Sequence, residues 1–226
     1  MKNIIFIAPS NAGKGTQADI TKQRYNLGHI STGDLLREIS KEDSELGRKV
    51  KECVDNSIFV TDEMMTEIIK DRISRTECQN GYILDGYPRT MKQLELYRDM
   101  LRQEDKDFGI VILIECPYEV CEQRVTGRLV CPNCKKIFHE TNSEMKPKVD
   151  GICDDCGSTL EKRPKDTVEE LKNKYETYQK NTEPLIEEFE KMGVLYRVDG
   201  SKGRDYTDQQ VEQILQDVNK RRMNNL

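Results

Sequence analysis

Two groups of residues in the 226-residue sequence have types and spacings that can do chemistry. The first is Gly13-Lys14-Gly15-Thr16-Gln17, which follows the apolar run Asn3-Ile4-Ile5-Phe6-Ile7 and a turn from Ala8 to Ala12. A buried strand, a flexible turn and a helix opening on these residues would aim backbone N–H groups at an anion. Lys14 would add a point charge beside a transferable phosphate, and Thr16 a hydroxyl for Mg2+. A lone Gly-Lys pair is equally well explained by an ordinary turn; the full run behind an apolar strand is more specific. The second group is Cys131-x-x-Cys134 and Cys153-x-x-Cys156. Four thiolates in two such knuckles can close a tetrahedral zinc site with no open position, which makes the metal structural. Iron could take the same geometry. Two disulfides would need an oxidising compartment, for which nothing in the sequence speaks. The other cysteines, Cys53, Cys78, Cys116 and Cys121, are scattered and read as small apolar residues.

The elements that must hold these groups show as alternating patterns. Strand-like apolar runs occur at 3–7, 81–85, 109–116 and 194–199, with helix-like stretches at 16–25, 61–75 and 90–103. Strands that are apolar throughout, separated by amphipathic helices, imply a parallel sheet covered on both faces. Val168, Leu171, Tyr175 and Tyr178 share one helical face and are expected in the core. Pro184 should end that helix and open the next. Val211, Ile214, Leu215 and Val218 mark a final helix. Residues 129–162 lack helical periodicity and carry all four paired cysteines, so they read as a small insert without a large core of its own. A metal would then staple it. His139, within this insert, is expected to be exposed and not a fifth ligand.

Composition excludes several classes. A formal net charge of −5 disfavours general nucleic-acid binding. No apolar run is long enough for a membrane span. The opening residues are too short in apolar length for a secretory signal, so a cytoplasmic protein is expected.

Further stretches, taken together with the first loop, resemble the adenylate kinase family of nucleoside monophosphate kinases. Ala8 to Gln17 resembles the family's GxPGAGKGTQ, with Ala8 and Asn11 where glycines are usual. Asn tolerates the left-handed backbone region at modest cost, so Asn11 can keep the turn. His29-Ile-Ser-Thr-Gly-Asp-Leu-Leu-Arg37 resembles ISTGDMLR, and by itself would read as a helix N-cap. Asp85-Gly-Tyr-Pro-Arg-Thr90 resembles DGFPRT, which alone would be a Gly-Pro turn. Arg124-Val-Thr-Gly-Arg128 resembles RxxGR, Arg163-Pro-Lys-Asp166 resembles RxDD, and Asp199-Gly-Ser-Lys202 resembles a late loop that touches the ATP base.

The resemblance runs from Ile4 to about residue 202 and implies an α/β fold: a P-loop parallel sheet flanked by helices, with inserted NMP-binding and zinc lid subdomains. The core would comprise 1–30, 61–127 and 164–226, the NMP-binding part 31–60 and the lid 128–163. It implies ATP binding by Asn11, Ala12, Gly13, Lys14, Gly15, Thr16, Arg124, Arg128 and Lys202. AMP would be held by Thr32, Arg37, Ser57, Val60, Gly86, Arg89, Gln93, Arg163 and Lys174. Catalysis would rest on Lys14, Arg89, Arg124, Arg163 and Asp166, with Mg2+ oriented through water by Thr16 and Asp85, and structural Zn2+ on Cys131, Cys134, Cys153 and Cys156. The implied reaction is Mg·ATP + AMP ⇌ 2 ADP in a monomer. Phosphoryl transfer asks for in-line phosphates, spread positive charge and excluded water. Lys14 and the five arginines would supply that charge.

The chain departs from the family at Lys165, where an aspartate is usual, and at Lys174, where an arginine would offer a bidentate fork. These departures, with Ala8 and Asn11, support an alternative: a nucleotide-binding paralogue with weak or no turnover. A kinase for CMP or UMP is a second alternative, and a zinc-ribbon nucleic-acid binder a third, opposed by the acidity and the nucleotide motifs.

Overall fold

The computed structural model describes residues 3–56, 58 and 60–224; Ser57, expected at the AMP site, lies outside them. The apolar runs become the centre of the sheet. Asn3–Ile7 (β1), Tyr82–Asp85 (β3) and Ile110–Glu115 (β4) are buried except for Glu115. Gly28–Ser31 (β2) and Leu195–Asp199 (β7) flank them. The order is β2-β3-β1-β4-β7, and every pairing is parallel. β2 was not among the expected strands: four residues that include Gly28 and His29 carry no apolar run to read.

Strand alternation sends neighbouring side chains to opposite faces, and the two cores follow. Ile5 and Ile7 pack with helices Thr32–Ile39 (α2), Glu45–Asp55 (α3), Asp62–Ile73 (α4), Met91–Gln103 (α5) and Leu185–Lys191 (α8). Ile4 and Phe6 pack with Lys14–Tyr25 (α1), Tyr118–Thr126 (α6), Val168–Asn181 (α7) and Arg204–Asn224 (α9). Each fully buried Ile, Leu or Phe contributes about 1.5–3 kcal/mol. Hydroxyl N-caps set the starts of several helices: Ser31, Ser44, Thr61, Thr90 and Thr167 each accept from a backbone N–H. Pro184 stands immediately before α8, as expected. Val168 departs from its expected core position; it is 41% exposed at the first turn of α7.

The cysteine segment stands apart from both cores. Arg128–Val130 (β5) pairs antiparallel with Ile137–His139 (β6), and its only apolar cluster is Cys131, Phe138, Cys153 and Leu160 with Leu129 against it. His139 is buried here, against expectation. A Cβ on Gly127 would lie 2.2 Å from its Cε1, so glycine makes the room for the ring. His139 Nδ1 accepts from the N–H groups of Thr141 and Asn142 at 3.2 and 3.1 Å, and its Nε2 lies 3.2 Å from the Gln123 carbonyl. Among the described residues no helix is long and apolar enough to cross a membrane.

Candidate active site

In a parallel sheet all strand C-termini reach one edge, and the loops that follow them share a crevice. Here that crevice is a cavity of about 1160 Å³, lined among others by residues 9–17, Asp85, Gly200 and seven arginines, including the five expected at the site: Arg37, Arg89, Arg124, Arg128 and Arg163. The loop after β1 makes the floor. Asn11 and Gly13 both adopt left-handed backbone, with φ of 66° and 101°. Helix α1 begins at Lys14 directly afterwards, so its free N–H groups face the cleft.

Lys14 forms a close ion pair with Asp85 at the end of β3. Asp85 Oδ2 is also 3.6 Å from His29 Nε2, and His29 Nδ1 is 3.0 Å from Asp19 Oδ1. Burial alone would raise the Asp85 pKa, but Lys14 and His29 outweigh it and hold the carboxyl well below its usual range. Burial works against the His29 charge too, yet Asp19 and Asp85 push its pKa up to about 9. The Asp85 carboxylate and the Thr16 hydroxyl both line the cleft and are oxygen groups of the kind that could bind Mg2+.

The arginines are held from the protein side. Arg124 donates to the carbonyls of Ala12 and Gly200, at 3.0 and 2.7 Å. Arg128 donates to both Asp166 carboxylate oxygens, Nε at 2.6 Å, and from Nη1 to Asn11 Oδ1 at 2.7 Å. Arg89 Nε donates to the Gly86 carbonyl at 2.7 Å and Nη2 to Thr32 Oγ1 at 3.1 Å. Burial lowers its pKa. Gln93 is engaged at both ends of its amide: Oε1 accepts from the Arg89 backbone N–H at 2.8 Å, and Nε2 donates to Asp62 at 2.9 Å. Arg37 pairs with Asp34 at 2.6 Å. Burial, with the nearby charges of Arg128 and Arg37, lowers the Arg163 pKa against the opposing charges of Asp166 and Asp34.

Seven expected residues do not line the cavity: Thr32, Gly86, Gln93 and Asp166 stand behind it, bonded to Arg89 or Arg128, and Val60, Lys174 and Lys202 are placed elsewhere. Lys174 lies on α7 and pairs with Glu170 at 3.4 Å. Lys202 lies 3.6 Å from Asp199 and over the Tyr206 ring. Val60 packs into the core beside α4. None of these three is among the residues lining the cavity. Conversely, Asp19, His29, Phe138, His139, Asn142 and Arg204 line it without having been singled out for it. His29, one of only two histidines and next to the Ser31 cap, was the one visible signal.

Cys131, Cys134, Cys153 and Cys156 bring their Sγ atoms within 4.8 Å of one another. Cys131 to Cys156 is 3.4 Å and Cys134 to Cys153 is 3.5 Å. A tetrahedron with metal–sulfur bonds of about 2.3 Å has sulfurs about 3.8 Å apart, so the donor set and its size fit such an ion.

Fold and site together define a phosphate-loop α/β protein with a cationic cleft at the strand ends. The family model described as adenylate kinase matches residues 6–194. An adenylate kinase of Archaeoglobus fulgidus is 41% identical over 216 residues, covering 96% of this chain and 99% of that one. Adenylate kinases of Thermotoga petrophila and Clostridium tetani are 40% and 38% identical, each covering at least 95% of both chains. The chain belongs to the adenylate kinase family, and it is an enzyme of the nucleoside monophosphate phosphotransferase class.

Proposed function

We propose that the protein transfers the terminal phosphoryl group of Mg·ATP to AMP, giving two ADP. The observation that carries this reading is the convergence of Lys14 and five arginines on one cavity at the ends of a parallel sheet, in a protein with a net charge of −5. Two polyanions meeting there would have their charge neutralised from several sides. The adenylate kinase relatives support AMP as the acceptor.

In this reading residues 11–16 cradle the ATP phosphates with backbone N–H groups. Lys14 moves from Asp85 to the phosphate chain, and Arg124 and Arg128 contact it from the other side. Arg37 and Arg89 hold the AMP phosphate, and Arg163 spans the two nucleotides. Thr32, Gly86 and Gln93 border the AMP base. Thr16 and Asp85 would hold Mg2+, which supplies charge neutralisation between the phosphates. Residues 128–163 act as a lid that excludes water from the transfer, stapled by zinc on the four cysteines. Thiolates in that role need a reducing compartment, which supports a cytoplasmic location.

A second reading, a nucleotide-binding paralogue with slow turnover, is favoured by the position of Lys174, paired with Glu170 rather than lining the cavity. A coupled assay of ADP formation across AMP, CMP, UMP and GMP separates the readings. Product with AMP alone supports the proposal. Product with another monophosphate reassigns the acceptor. ATP binding without product selects the second reading.

A further inference from the structure

Asn11 occupies a backbone conformation that suits glycine. Its φ is 66°, and glycine is the residue usual at this place in the loop. An asparagine here accepts some backbone cost, and its side chain makes one contact of note. Oδ1 accepts a hydrogen bond from Arg128 Nη1 at 2.7 Å, across 117 residues of sequence. The other edge of the same guanidinium is taken by Asp166, which accepts from both Nε and Nη2. The planar fork is therefore fixed from two sides by two different parts of the chain.

The two partners differ in what they can do. Asp166 and Arg128 both flank the cysteine segment, so their bidentate pair can swing as a unit without touching the phosphate loop. Among the described residues, the Asn11 side chain supplies the hydrogen bond that ties Arg128 to that loop. We propose that Asn11 is a positioning residue: it aims Arg128 at the phosphate loop before nucleotide arrives, holding one Nη1 hydrogen while the other is left for a phosphate oxygen. Nη1 carries two hydrogens, so the phosphate contact adds to the Asn11 bond and does not replace it. Asp166 keeps Nε and Nη2 throughout, so the fork does not reorient. A glycine at this position would satisfy the turn and provide no such aim. Aiming the group in advance lowers the ordering cost of binding. This inference rests on the ATP-site reading above and adds a role for a side chain within it.

The test is a double-mutant cycle read on ATP dissociation constants by calorimetry, with no acceptor present. Asn11→Gly keeps the left-handed turn and removes the acceptor, so the fold is preserved. ATP binding should weaken about tenfold, because the nucleotide must then order the Arg128 side chain itself. In an Arg128→Lys background, where no fork exists to hold, the same change should alter binding less than about twofold. In steady state Asn11→Gly should raise KM for ATP and leave kcat and KM for AMP within about twofold. Equal effects of Asn11→Gly in both backgrounds, or none in either, would make Asn11 a turn residue only and overturn the proposal. Because the cycle reads binding, it stands even where no ADP forms; a wild-type protein that binds ATP without turnover sinks the reaction proposed above and leaves this inference open to its own result. A wild type that binds no ATP sinks both.

Discussion

The Lys14 ammonium rests directly on the Asp85 carboxylate, at the floor of the cleft, with both side chains largely withdrawn from solvent. Lys14 opens helix α1 and Asp85 closes strand β3, so the contact joins the two elements that bound the phosphate loop. In the nucleotide-free protein each charge neutralises the other. A phosphate and a cation arriving together can replace both partners at once.

Removing Lys14 should strand a buried carboxylate. Lys14→Met is expected to destabilise the nucleotide-free protein by about 3 kcal/mol in urea denaturation. Adding Asp85→Asn should return most of that stability. Phosphoryl transfer should fall roughly a hundredfold or more in both variants. A double variant no more stable than Lys14→Met would show that the pair is not energetically coupled.

His29 makes the stability depend on pH. Its folded pKa, about 9, lies above the ordinary value of 6.5. A raised histidine pKa contributes stability that is complete below pH 6.5 and is lost as pH rises through about 9. Metal-free, nucleotide-free protein should therefore lose stability between those limits, and His29→Gln should remove that slope. An imidazole titrating near 6.5 by NMR would contradict the surroundings described for His29.

The cysteine segment has only a four-residue apolar cluster and should depend on its metal. Elemental analysis should find one zinc per chain. Cys153→Ser, which removes a buried thiol, should abolish it and speed proteolysis within residues 131–156 roughly tenfold or more, as expected of a metal-dependent fold. The parallel sheet should keep its far-ultraviolet circular dichroism. Unchanged metal content in this variant would exclude the four-cysteine site.

Tyr87 stands where the family has phenylalanine, and its hydroxyl is buried. It lies 2.8 Å from Thr66 Oγ1 and donates to the Gln93 carbonyl at 3.3 Å. Burial raises its pKa above the ordinary tyrosine value. Tyr87→Phe should cost about 1 kcal/mol and lower Tm by roughly 2–4 °C, with Gln93 less firmly held. A melting curve that rises would mean the hydroxyl pair is unfavourable.

The parts of the molecule legible in the sequence were those encoded by neighbours in the chain. β1, β3 and β4 are runs of apolar residues buried on both faces, and such runs have few other uses. β2 escaped because burial of Gly28 and His29 depends on what packs over them; a Cβ on Gly28 would meet Cys78 Sγ at 2.5 Å. His139 was expected on the surface because histidine is polar, and only the space left by Gly127 admits its ring. Lys174 has the spacing of a site residue, yet the phase of α7 puts it beside Glu170.

By itself the sequence determined the strand, turn and helix start around residues 3–17, the apolar central strands and the four-thiol cluster, because each follows from spacing within a short segment. Only the tertiary structure decided which side chains hold one another: Asn11 with Arg128, Lys14 with Asp85, His29 between two aspartates. The physical reason is reach. Backbone preference and apolar periodicity act over a few residues, whereas hydrogen bonds and ion pairs form between whatever groups the packed sheet brings within about 3 Å, however far apart they stand in the chain.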